Sequence, residues 1–113
     1  MTIAFDWIGA YLEHKIVFDE MAKSMQLAGH KVGIITGERE KRKPQIMETL
    51  GFPPDFMCLW TDEEFIVNGN HWKAVKLDEN NVDLYFDDDA NSVKKFTSRW
   101  VVKTLNNADI RKF

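Results

Sequence analysis

Three consecutive aspartates, Asp87, Asp88 and Asp89, close the apolar run Val82-Asp83-Leu84-Tyr85-Phe86, and another, Asp6, closes Thr2-Ile3-Ala4-Phe5. A short apolar run that ends in carboxylates reads as a buried strand delivering negative charge to one edge of a sheet. Acids gathered at such an edge suit a hard divalent cation such as Mg²⁺, and with it a phosphoryl group. Thr36, at the end of a further apolar run, adds a hydroxyl, and Lys73 adds an ammonium; both can hold phosphate oxygens. With Asp6 as carboxylate nucleophile and Asp87 and Asp88 on the metal, the set is one for phosphoryl transfer. Asp89 reads instead as a solvated residue opening the next helix, where an acid suits the helix dipole.

These residues meet only if the chain folds as a parallel α/β sheet, because ligands of such sheets sit beyond the C-terminal strand ends. Strand and helix signals alternate from the first residue, which predicts that architecture: a mainly parallel sheet in a three-layer α/β/α, Rossmann-like domain with no cap. Strands are expected over 2–6, 32–36, 56–60 and 82–86, with a last edge strand over 101–105. A helix is expected from about Ile16 to Ala28, with Phe18, Met21, Ala22 and Met25 on one face and Gly29 as its stop. Gly37 and the charged residues after it read as a loop, and Pro44 opens a short helix closed by Gly51. Residues 61–81 allow two readings. Asn68-Gly69 between 65–67 and 72–75 looks like a hairpin turn, but a loop followed by a helix over about 71–79 supplies the crossover that parallel strands require. Asn91 or Ser92 then caps a helix carrying Val93 and Phe96, and the tail from Asn106 reads as mobile.

Taken in order, these segments resemble the haloacid dehalogenase-like (HAD) superfamily. Its phosphatases begin with an apolar strand followed by Asp-x-Asp-Gly-Thr, here Ile3-Ala4-Phe5-Asp6-Trp7-Ile8-Gly9-Ala10. A strand ending in Thr or Ser follows, matched by Gly33-Ile34-Ile35-Thr36-Gly37. Next comes a Lys near a helix start, best matched by Lys73 with Lys76 as fallback, and last a strand ending in paired acids, Leu84-Tyr85-Phe86-Asp87-Asp88. The resemblance implies a single capless domain spanning the 113 residues, with its core over about 2–105. It also implies Mg²⁺ held by Asp6, the backbone carbonyl of Ile8, and Asp87 or Asp88.

Two positions depart from that pattern: Ile8 replaces the second Asp and Ala10 the Thr. In the family that Asp protonates the leaving oxygen and later activates water, help worth about 10²–10⁴-fold. Ile8 does neither, while a carbonyl at its position does not depend on the side chain, so binding should outlive turnover. The expected activity is a slow or specialised Mg²⁺-dependent phosphohydrolase working through an aspartyl-phosphate. The competing reading is a catalytically inactive binding or regulatory protein on the same scaffold.

Composition narrows the partners. A net charge of -3 gives no global basic field for nucleic acid, and the local cluster Arg39, Lys41, Arg42 and Lys43 reads as a solvated helix start. The ligand implied is a phosphorylated small molecule or an extended phosphate-bearing substrate. No apolar run approaches the roughly 20 residues needed to span a bilayer, so a soluble cytoplasmic protein is expected. The lone Cys58 reads as a small core residue. His14, His30 and His71 lack metal-ligand spacing. The tryptophans at 60, 72 and 100 read as core or edge aromatics, while Trp7, beside Asp6, could stand at a pocket mouth or simply pack.

Overall fold

The computed structural model describes residues 1–106 and is an α/β domain built on five parallel strands. They are β1 (Thr2–Phe5), β2 (Lys31–Arg39), β3 (Met57–Trp60), β4 (Leu84–Asp87) and β5 (Trp100–Lys103), in the order β3-β2-β1-β4-β5. The connecting helices are α1 (Lys15–Leu27), α2 (Lys43–Thr49), α3 (Asp62–Asn68), α4 (Trp72–Glu79) and α5 (Ala90–Lys94). All strand pairs are parallel, Phe5 lying opposite Ile34 of β2 on one flank and Phe86 of β4 on the other.

Side-chain alternation along the strands divides the core into two layers. Ile3 and Phe5 of β1, with Val32 and Ile34 of β2, bury against Phe18 and Ala22 of α1 and Ile46 of α2. Ala4 and Ile35 face the other way, onto Trp72 and Leu77 of α4 and Ala90 and Val93 of α5. Both faces of the sheet are covered, which is why its central strands carry apolar residues at successive positions. The expected three-layer arrangement follows. Gly29 ends α1 as expected, with φ +91° and its N–H donating to Gln26 O at 3.0 Å.

Four expectations are corrected. Residues 62–68 are a helix, not a loop. Thr61 Oγ1 accepts the Glu64 N–H at 3.2 Å and donates to Glu64 Oε1 at 3.3 Å, a side-chain cap that opens α3. Asn68-Gly69 makes no hairpin; Gly69, at φ +53°, separates α3 from α4. Strand β2 runs on to Arg39, beyond the loop expected at Gly37, and its pairing with β3 shifts register between Ile35 and Arg39. Helix α5 is entered from Asp89, with Asn91 and Ser92 inside it and Phe96 past its end. Asn106, read as the start of a loose tail, donates to Asp88 Oδ2 at 3.2 Å; the rest of that tail lies outside the described residues.

Candidate functional site

The strand order reverses direction at β1. The chain moves from β1 outward through β2 and β3, then returns to lay β4 on the other side of β1. Loops leaving β1 and β4 therefore diverge, and the crevice between them is where open α/β sheets bind ligands. Asp6 leaves β1 and Asp87 ends β4 at that point, the Asp6 N–H donating to Phe86 O at 2.9 Å.

The carboxylates of Asp6, Asp87 and Asp88 each offer an oxygen, all within 4.8 Å of one another. Asp6 and Asp87 are buried and Asp88 is half-buried. Lys73, from the first turn of α4, bridges two of them, its Nζ 2.8 Å from Asp87 Oδ2 and 3.3 Å from Asp6 Oδ2. Each buried acid also accepts a backbone N–H: Asp6 Oδ1 from Trp7 at 2.8 Å, Asp87 Oδ1 from Asp89 at 2.9 Å. Thr36 is buried beside them; its hydroxyl accepts the Glu38 N–H at 3.4 Å and lies near enough to Asp6 to favour its ionised form. The register shift in β2 sits next to Thr36, the kind of irregularity that re-aims a side chain at a sheet edge. Asp6, Thr36, Lys73, Asp87 and Asp88 thus come together, and Lys76 lies elsewhere, paired with Glu64 and Glu79.

The electrostatics separate the two buried acids. Burial pushes the Asp6 carboxyl up to about 7; Lys73 pulls it down and Asp87 adds to the push. Burial also opposes ionisation of Asp87, but the Lys73 charge and hydrogen bond together with the Asp89 N–H outweigh it, and its carboxyl lies below the usual range. Lys73 stays protonated although burial disfavours its charge, because both acids face it. The Lys73 ammonium thus faces two buried carboxyl groups, with the Asp88 carboxylate beside them. A cluster of hard, anionic oxygen donors with that excess of negative charge fits a cation of the Mg²⁺ type. Asp6, Asp87 and Asp88 are the side chains that would hold it.

The sequence reading missed the residues that bring Asp88 in. Gly9 has φ +88°, and a Cβ there would stand 2.2 Å from Asp88 Cγ. Thr104 Oγ1 donates to Gly9 O at 2.8 Å, and its N–H reaches Asp87 O at 3.2 Å, so β5 fastens the two loops together. Lys103 Nζ donates to Asp88 O at 3.0 Å. A glycine three residues past a strand-end acid was the one local signal for this. The partners after β5 carry no pattern of their own.

The side chain of Ile8, two residues past Asp6, is 58% exposed and lines a groove with Trp7, Leu12, Glu38, Arg42 and Ile46. Trp7 is buried and stacks on Tyr11 with ring centroids 4.9 Å apart, the packing alternative. The histidines serve other contacts: His14 meets Leu105 O, His30 the N-terminal ammonium, and His71 the Phe96 ring. Among the described residues no helix is long and apolar enough to cross a membrane. In comparisons with known proteins, the chain matches no family model and no curated protein.

Proposed function

We propose that this is a Mg²⁺-dependent phosphohydrolase site of the HAD-like type, weakened in acid–base catalysis. The observation that carries the reading is the convergence of Asp6, Asp87 and Asp88 with Lys73 and Thr36 at the reversal of strand order. Mg²⁺ held by the three acids, with the Ile8 carbonyl as a further ligand, would draw charge from the phosphoryl oxygens. Lys73 and Thr36 bind those oxygens and orient the group for in-line attack. An Asp6 oxygen attacks phosphorus, and the bond to the leaving oxygen breaks with its electron pair going to that oxygen. Water then attacks the aspartyl-phosphate, releasing inorganic phosphate, restoring the Asp6 carboxylate and giving its proton to solvent.

Ile8 offers no proton to the leaving oxygen, so departure depends on how well that oxygen bears negative charge. Acyl phosphates and other anhydrides meet the requirement; alkyl phosphates do not. The test is phosphate release with Mg²⁺ from an acyl phosphate and an aryl phosphate, by the parent and by Asp6→Asn. Turnover of the acyl phosphate that is abolished by Asp6→Asn is expected. Turnover that survives the substitution removes Asp6 from the mechanism.

A second reading, a binding or regulatory protein that has lost the reaction, is favoured by the exposed Ile8 and by Lys73 lying across both buried acids. It predicts Mg²⁺ and phosphate binding with no release from any phosphorylated compound.

A further inference from the structure

Beside the acid cluster lies a cavity of 370 Å³ between the start of α4 and the outer turn of α5. Trp60, Trp72 and Phe96 line it; Trp72 is buried and braces Trp60 edge to face with centroids 6.0 Å apart, which leaves Trp60 and Phe96 as the ring surfaces a ligand can reach. Phe96 is braced by the His71 ring, centroids 3.9 Å apart, and remains 40% exposed. The polar groups on the rim are Lys73, Asp89, Ser92 and Lys95. Two of these also belong to the phosphoryl site: Lys73 holds Asp6 and Asp87, and the Asp89 N–H holds Asp87. A ligand seated among the rings is therefore one side chain away from the proposed nucleophile.

We infer that this cavity receives a flat aromatic group carried by the phosphorylated ligand, and that a nucleotide is the class that fits. The inference rests on the phosphoryl reading of the acid cluster and names its substrate. Flat aromatic walls suit a ring that stacks. Asp89, whose Oδ1 accepts the Ser92 hydroxyl at 3.0 Å, keeps its other carboxylate oxygen as an acceptor for the edge of a base, while Lys95 adds a cation for a second anionic group. The mixture of a few polar groups with apolar walls is that of a small-ligand site, and the volume lies in the same range. A simple sugar phosphate would leave the rings unused.

The test compares the affinities of adenosine 5′-monophosphate, ribose 5-phosphate and adenosine for the full chain with Mg²⁺, by calorimetry. The nucleotide is expected to bind about tenfold tighter than ribose 5-phosphate. Phe96→Ala should collapse that ratio toward one, and Ser92→Trp, which fills the cavity from the exposed face of α5, should do the same. Circular dichroism spectra matching the parent confirm that both variants are folded. If the two phosphates bind equally in the parent, or the ratio survives both substitutions, the cavity is not the base site although the phosphoryl reading stands. If neither phosphate binds better than adenosine, the phosphoryl reading falls and takes this assignment with it.

Discussion

The Asp88 carboxylate fills the space that a side chain on Gly9 would need: a Cβ on Gly9 would lie 2.2 Å from Asp88 Cγ and 2.4 Å from Oδ2. The third acid can lean toward Asp6 and Asp87 only because residue 9 has no side chain and takes φ +88°. Gly9→Ala should therefore act twice. The left-handed backbone costs about 1–3 kcal/mol of stability, and Asp88 is driven out of the cluster. Urea denaturation should report the first effect and a Mg²⁺ titration a loss of affinity. Unchanged Mg²⁺ affinity in a folded Gly9→Ala protein would take Asp88 out of the metal site.

Lys73 bridges the two buried acids with its ammonium. Removing it leaves Asp6 and Asp87 facing each other without a countercharge, and breaking a buried pair in this way costs about 3–5 kcal/mol. Lys73→Met should lower the urea midpoint sharply without metal, and Mg²⁺ should restore part of the loss by replacing the missing charge. A variant as stable as the parent with no metal present would mean that the bridge contributes nothing to the fold.

How much of this was legible follows from how local each signal is. The strands carrying Asp6 and Asp87 announce themselves because a strand buried on both faces must be apolar, and an acid marks where it leaves the core. Lys73 was legible through its place at a helix start between two such strands. Helix α3 lies where a loop was expected, because the crossover that parallel strands require is already met by the helix over 71–79; the Thr61-x-x-Glu64 pattern ahead of α3 is the helix-start signal that marks it. The extension of β2 beyond Thr36 was hidden by Gly37, which reads as a loop but stays in the strand beside Trp60. The glycine at position 9 is visible after the strand-end acid, but the reason for it, the Asp88 carboxylate, lies far along the chain and is not visible locally.

Asp6 should make the metal-free protein less stable as the pH rises. Its folded carboxyl titrates at about 7 against an ordinary 3.8, chiefly through burial. The folded state therefore holds the proton that the unfolded chain releases. Its stabilising contribution is complete below about pH 3.8 and is lost as the pH climbs through 7. Asp6→Asn has no proton to lose, so the difference in stability between variant and parent should move in the variant's favour from pH 4 to pH 8. Parallel urea midpoints across that range would show that Asp6 ionises without cost in the fold.

Ile8→Asp asks whether the missing carboxyl is what limits turnover. The wild-type side chain is 58% exposed and belongs to neither core layer, so an acid there should be tolerated with little change in stability. A carboxyl at that position can protonate a leaving alkoxide and then take a proton from the attacking water. Rates on an alkyl phosphate should rise by about 10²-fold or more, while those on an acyl phosphate, whose leaving group needs no proton, should change little. Narrowing of the gap between the two substrates is the signature, measured as phosphate release by parent and variant under the same Mg²⁺. An equal rise on both would point to better positioning instead, and no rise on either would place the lost function elsewhere than in residue 8.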